Sequence, residues 1–143
     1  MNSLLRKVHL FNGLSADEIE LLANICVELT CAAGELVIEQ NTTGGEVYII
    51  ADGAIDVFVS GLNNERPIVM LGDGQVFGEM ALIDQGYRSA SGRAGKSGCV
   101  LYKIQKEDFH DLCNTHTHIG YVVMRNMAID LAFKLRHRNL AAL

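Results

Sequence analysis

The sequence predicts a mainly β fold of the barrel or jelly-roll kind, framed by helices, in a single domain spanning residues 1–143. Three observations predict it. Between Gly34 and Ile104, short apolar runs alternate with turns that recur about every 8–12 residues, the rhythm of barrels and jelly rolls. Before and after that stretch, apolar residues return at helical spacing. The 143 residues suit one domain with a real core, 49% of them being hydrophobic, and 14 glycines against one proline mark tight turns, not a disordered tail.

The N-terminal segment, 1–33, reads as helical. Leu4-Leu5-Arg6-Lys7-Val8 forms a short turn, broken by Phe11-Asn12-Gly13-Leu14. Ser15-Ala16-Asp17-Glu18 has the capping-box form, in which Ser15 accepts from the Glu18 amide and Glu18 reaches back. Ile19, Leu22, Ile25, Cys26 and Leu29 follow at helical spacing and predict a helix from about 16 to 28.

Strands are predicted over 34–104. Leu36-Val37-Ile38 is one, and Val47-Tyr48-Ile49-Ile50 is another, closed by an Ala51-Asp52-Gly53 turn. Ile55, Val57 and Val59 then recur with period two up to a hairpin tip at Gly61-Leu62-Asn63-Asn64. Ile68–Leu71 ends at Gly72-Asp73-Gly74. The last strand signals, Arg88–Ala94 and Cys99–Ile104, flank Gly95-Lys96-Ser97, read as a hairpin turn. The C-terminal segment, 105–143, holds a short helix, Lys106–Cys113, and a long one from Thr117 to about Leu140. The long helix carries the stripe Ile119, Val123, Met127, Leu131 and Leu135, read as core contact or as a dimer seam.

Twelve Lys and Arg against 17 Asp and Glu leave a net charge of −5, a poor match for a phosphate backbone, so direct DNA binding is not expected. The one basic cluster, Lys134, Arg136, His137 and Arg138, sits where a helix C-terminus favours cations. Cys26, Cys31, Cys99 and Cys113 form no CxxC and, with no signal peptide at the start, read as reduced thiols of a cytoplasmic protein. No apolar run approaches the roughly 18 residues of a membrane span.

The chemistry lies in Phe77-Gly78-Glu79-Met80-Ala81-Leu82-Ile83 and the following Asp84-Gln85-Gly86-Tyr87-Arg88-Ser89-Ala90. Gly78 lets a ligand approach the backbone that opens a single helical turn. Arg88 offers a planar fork of donors suited to phosphate oxygens, and Ser89 adds a hydroxyl. Glu79 repels phosphate but accepts from hydroxyls such as those of a ribose. An acid, an arginine and a glycine-led turn this close together suit a sugar phosphate.

Phe77–Ala90 resembles the phosphate-binding cassette of cyclic nucleotide-binding domains, through Gly78-Glu79, Ala81-Leu82 and Arg88-Ser89-Ala90. Leu4–Leu14, Gly34–Ile38, Tyr48–Gly53 and Leu71–Phe77 resemble other segments of that family, so the resemblance runs along nearly the whole chain. It implies an eight-stranded β-roll, a jelly-roll-like double-stranded β-helix, with N-terminal helices and C-terminal lid helices. It also implies that Glu79 accepts from the ribose 2′-hydroxyl and that Arg88 and Ser89 hold the cyclic phosphate. Backbone amides around Met80, Ala81 and Leu82 complete the cradle, Leu71 and Phe77 form an apolar wall, and the long helix lids the base.

The chain departs from the family pattern in three places. The turn before Tyr48 is Asn41-Thr42-Thr43-Gly44-Gly45, without the glycine–acid pair. Gly92 stands where a β-branched residue is commoner, which loosens the strand leaving the cassette. The lid helix lacks the threonine–serine pair that bacterial cyclic AMP regulators often use, leaving Asp130, Phe133, Lys134 and His137 as base-contact candidates.

Other motifs are weaker. Gly95-Lys96-Ser97 fails as a P-loop because Ala90 occupies the first glycine's place. His116 and His118 lie outside the strand pattern, so no metal site is expected, and no spacing supports haem at Cys99. His9, His110 and His137 read as surface groups. Ser89 has no histidine near it in sequence and no GxSxG elbow exists, so the chain is expected not to be an enzyme. The expectation is a stand-alone cytoplasmic sensor of a cyclic nucleotide, cyclic AMP ahead of cyclic GMP, needing no cofactor. It would act on an unidentified effector protein, and family members commonly dimerise through the long helix. The alternative is a scaffold module that keeps the fold without the ligand.

Overall fold

A computed structural model describes residues 1–84 and 86–142, with backbone alone at 138–142. In chain order the elements are α1 (Asn2–Lys7), a 3₁₀ turn (His9–Phe11), α2 (Ala16–Asn24), β1 (Cys26–Cys31), β2 (Leu36–Ile38), β3 (Glu46–Ser60), β4 (Glu65–Leu71) and β5 (Val76–Phe77). A second 3₁₀ turn (Glu79–Leu82), β6 (Ser91–Gln105), α3 (Lys106–Thr115) and α4 (Thr117–Ala142) complete them.

The capping box forms at the start of α2: Glu18 N–H donates to Ser15 Oγ at 3.2 Å, and Ser15 N–H donates to Glu18 Oε1 at 2.9 Å. The helix stops at Asn24, short of the expected end near 28, and β1 takes its place. Ile25, Cys26 and Leu29 fit helical spacing, but Val27 and Thr30 are β-branched, and Leu29 and Cys31 turn inward at strand spacing. Pairing with Cys99–Ile104 settles between the two periods.

All pairings are antiparallel, in the order β1-β6-β3-β4, with β2 also on β6 and β5 on β3. The two 15-residue strands change partners halfway. Residues Tyr48–Ile49 of β3 meet β5, whereas Ile55–Ser60 meet β4. In β6, Cys99–Ile104 meet β1, whereas Gly92 and Arg93 meet β2. Counting each half of β3 and β6 as a strand turns six into the eight of a β-roll.

The two expected turns at Ala51–Gly53 and Gly95–Ser97 are therefore one corner seen twice. Gly53 pairs with Cys99 and Ile55 with Ala94, so residues 95–98 bulge opposite Ala54. Gly53 sits at φ 88°, and a Cβ there would stand 2.4 Å from the Gly98 carbonyl.

Two cores result. Tyr48, Ile50, Ile55, Val57, Ala94, Cys99 and Leu101 fill the roll. On its other face Val47, Ile49 and Ile104 pack with Leu5, Leu22, Phe109, Ile119 and Val123 from the helices. This is why Val47–Ile50 reads as an unbroken apolar run: both faces of the strand are covered. The long helix is tied to the N-terminal segment by polar contacts as well. Buried Asn126 donates to the carbonyls of Leu10 at 2.8 Å and Asn12 at 3.0 Å, and His118 Nδ1 lies 2.7 Å from the Glu18 carboxylate. No helix among the described residues is long and apolar enough to cross a membrane.

Candidate functional site

β5 delivers the chain to Gly78, whose left-handed φ of 84° starts the 3₁₀ turn Glu79–Leu82. Ala81 N–H closes that turn on the Gly78 carbonyl at 3.1 Å, so in this conformation the turn itself uses the Ala81 amide. Leu82 points away into the helix-facing core.

Arg88 comes back to the same place from the far side of the loop. Its backbone is bolted to the turn before β3: Asn41 N–H donates to Arg88 O at 2.9 Å, and Arg88 N–H donates to Thr42 O at 2.8 Å. Its guanidinium donates to the Gly78 carbonyl at 3.2 Å and to the Glu46 carbonyl at 2.8 Å. The Glu46 carboxylate lies 3.5 Å away, and the Arg88 side chain is only 9% exposed. A Cβ on Gly44 or on Gly78 would come within 2.6 Å of a guanidinium nitrogen. The two glycines thus form a slot that only a backbone without side chains leaves open. A largely buried guanidinium with carbonyls and the Glu46 carboxylate on one side and a cavity on the other has the chemistry to take an anion.

That cavity has a volume of about 590 Å³, within the roughly 300–1,000 Å³ usual for small-molecule sites. Its polar edge carries Glu79, Arg88 and Ser89, with Gly78, Met80, Ala81 and Ala90 around them. Leu71, Phe77, Val57, Ile68 and Val69 supply the apolar wall. Leu82 is the one cassette residue expected at the ligand that does not line it. Gly92 does not loosen this wall: a Cβ there would stand 2.2 Å from the Phe77 ring, so the glycine is the socket in which Phe77 sits.

Of the lid candidates, the structure brings Lys134 to the cavity, together with Leu131. Asp130 pairs with His9 Nε2 at 2.9 Å, beside a separate cavity of about 350 Å³ on the other side of Glu79. Phe133 and His137 stack on each other with ring centroids 3.9 Å apart.

The residues that sequence reasoning missed are Glu46, Gly44 and the Asn41–Thr42 backbone that hold Arg88. Their signal was the Asn41–Gly45 turn itself, which departs from the family pattern yet binds the arginine. His110, read as a surface group, is exposed, and its Nε2 also donates to the Leu82 carbonyl at 2.9 Å, a contact the sequence did not show. Behind Arg88 lies Tyr48, its phenol pushed up first by burial and then by the Glu46 carboxylate. Among the described residues no group of three or more His, Cys, Asp or Glu is placed to hold a metal ion.

The family described as "Cyclic nucleotide-binding domain" matches residues 28–116. The chain is 33% identical to the cyclic AMP receptor protein of Thermus thermophilus over 92% of its length, spanning 59% of that protein. The crystal structure of the Thermus thermophilus catabolite activator protein superposes with a TM-score of 0.82 at 32% identity, covering 94% of this chain and 61% of that one. The regulatory domain of Toxoplasma gondii PKA, solved with cAMP, superposes with a TM-score of 0.72 at 25% identity, covering 78% and 42%.

Proposed function

The chain belongs to the cyclic nucleotide-binding domain family, and we propose that it is a cytoplasmic sensor domain for a cyclic nucleotide, cyclic AMP ahead of cyclic GMP, that signals by moving α4. The observation that carries this reading is Arg88, buried between Gly44 and Gly78 with one edge on the cavity. An arginine is bidentate and always charged, so it matches a cyclic phosphodiester better than it matches any neutral ligand. Glu79 sits where a ribose hydroxyl would donate to it, and Ser89 supports the phosphate. The apolar wall would take the base. Preference for cyclic AMP is supported by the receptor protein and the PKA regulatory domain to which the chain is similar.

Ligand binding would work by shifting a population. A phosphate drawn onto Arg88 pulls on the Gly78 end of the 3₁₀ turn, and Leu82, at its other end, is packed in one core with Phe109, Ile119 and Val123. The helices that feel this would present a changed surface to an effector protein.

The same helix supports a homodimer, though not by the stripe first expected. Ile119, Val123 and Met127 are buried in the chain's own core. The outward face instead carries the exposed Tyr121, Ala128 and Leu135, seven residues apart as at one position of a two-stranded heptad seam. Tyr121 is 66% and Leu135 58% exposed.

Calorimetric titration with cyclic AMP, cyclic GMP and linear AMP tests the reading. A cyclic form should bind in preference to linear AMP, and Arg88→Ala should weaken it by at least about 2 kcal/mol, the loss of a buried charged hydrogen bond. Unchanged affinity in that variant would overturn the assignment. No binding by the native chain would leave the fold serving as a scaffold.

A further inference from the structure

The cassette is gripped from behind by α3, and nothing in the assignment of the ligand site accounts for that grip. Among the described residues no backbone N–H bonds to the carbonyls of Leu82 and Asp84, at the end of the 3₁₀ turn and in its loop. Two side chains on successive turns of α3 reach them: His110 Nε2 lies 2.9 Å from Leu82 O, and Lys106 Nζ lies 3.3 Å from Asp84 O. A carbonyl only accepts, so Nε2 carries the proton in this contact. The backbone of Lys106 holds the opposite side, its N–H donating to Gly45 O. One end of α3 therefore spans both walls of the arginine slot: the wall with Gly78 and Glu79, and the wall with Gly44 and Glu46. The hydrophobic neighbour Phe109, 1% exposed, packs in the same core as the Leu82 side chain, so Leu82 is held by its side chain and by its carbonyl.

We propose that His110 is a positioning residue, assisted by Lys106, whose donated hydrogen bond sets the cassette at the spacing at which Arg88 meets an anion. The proposal rests on the reading of the cavity as a cyclic nucleotide site. It assigns α3 an active part: since only His116 separates α3 from α4, whatever loosens the Leu82 contact frees both the cradle and the lid helix.

Two variants separate the donor from the shape. His110→Leu removes the N–H and keeps bulk, and His110→Gln places an amide N–H near the position of Nε2. Two readouts are taken. Calorimetry with cyclic AMP and cyclic GMP reads the cradle, and amide hydrogen exchange at Ile83 and Asp84, both bonded to Met80 O, reads the turn without ligand. His110→Leu should weaken both nucleotides by about the same factor, on the order of tenfold, and speed both amides. His110→Gln should return binding and exchange to within about threefold of the native chain. Native binding and exchange in His110→Leu would overturn the proposal, as would a His110→Gln variant as impaired as His110→Leu. If the native chain binds neither nucleotide, the function reading fails by itself. The exchange rates then decide alone: faster in His110→Leu and restored in His110→Gln upholds the positioning role, and any other pattern overturns it.

Discussion

Arg88 was visible in the sequence as one member of a motif, but its surroundings were not. The cation is held by the carbonyls of Gly78 and Glu46 and by a turn more than forty residues earlier, Asn41–Thr42. A single sequence gives residue types and spacing, and such contacts depend on which loops the barrel closes together. The same limit hid His110, whose partner is a backbone atom and so leaves no trace in residue identity. Cys31 shows what burial does to a group that was correctly read as a free thiol. Burial, then its cross-strand neighbour Cys99, pushes it up to about 12. A thiol that ionises later in the folded than in the unfolded chain supports the fold below its unfolded pKa and stops doing so as pH rises toward the folded one. Urea midpoints should therefore fall between about pH 8 and about pH 11 beyond the loss seen in Cys31→Val. Equal losses in the two proteins would show that this thiol is not the cause.

At the scale of elements, boundaries set by local chemistry were legible: the capping box at Ser15, the Gly61–Asn64 tip and the glycine-led turn at Gly78 all stand where the residues put them. Boundaries set by pairing were not. β1 reads as helix because Ile25, Cys26 and Leu29 continue the helical spacing of Ile19 and Leu22, and the corner at Gly53 reads as a turn because glycine in a strand looks the same as glycine between strands. The corner is a steric fact that can be tested. Gly53→Ala would place a methyl 2.4 Å from the Gly98 carbonyl on a backbone at φ 88°. A loss of at least about 2 kcal/mol is expected. Chemical denaturation reads it, and a loss below about 0.5 kcal/mol would mean that the corner yields easily.

For the whole molecule, the apolar content of α4 was plain and its direction was not. Ile119, Val123 and Met127 could have faced a partner copy. Burial against the N-terminal helices assigns them inward and leaves Tyr121, Ala128 and Leu135 outward. Two apolar faces on one helix mark a helix with more to cover than its own fold supplies. In the proposed homodimer, Ala128→Glu sets like charges against each other at the seam centre. Sedimentation should then report a monomer with a lower thermal midpoint, since association no longer supports the fold, and a nucleotide affinity near that of the native chain. A native chain that sediments as a monomer, or a variant that still dimerises, removes this seam.

Finally, β1 pairs with the far half of β6, Cys26–Cys31 against Cys99–Ile104. During synthesis the first strand must therefore leave the ribosome long before its partner exists. At about 5–20 residues per second, the delay between Cys31 and Ile104 is roughly 4–15 s. For that interval Val27, Leu29 and Cys31 belong to an unpaired edge, and α1 and α2 have no α4 to rest on. The nascent chain then carries an unpaired strand edge, and the roll closes only after the far half of β6 has emerged. A topology in which both ends share one core makes early folding of the N-terminal part unproductive.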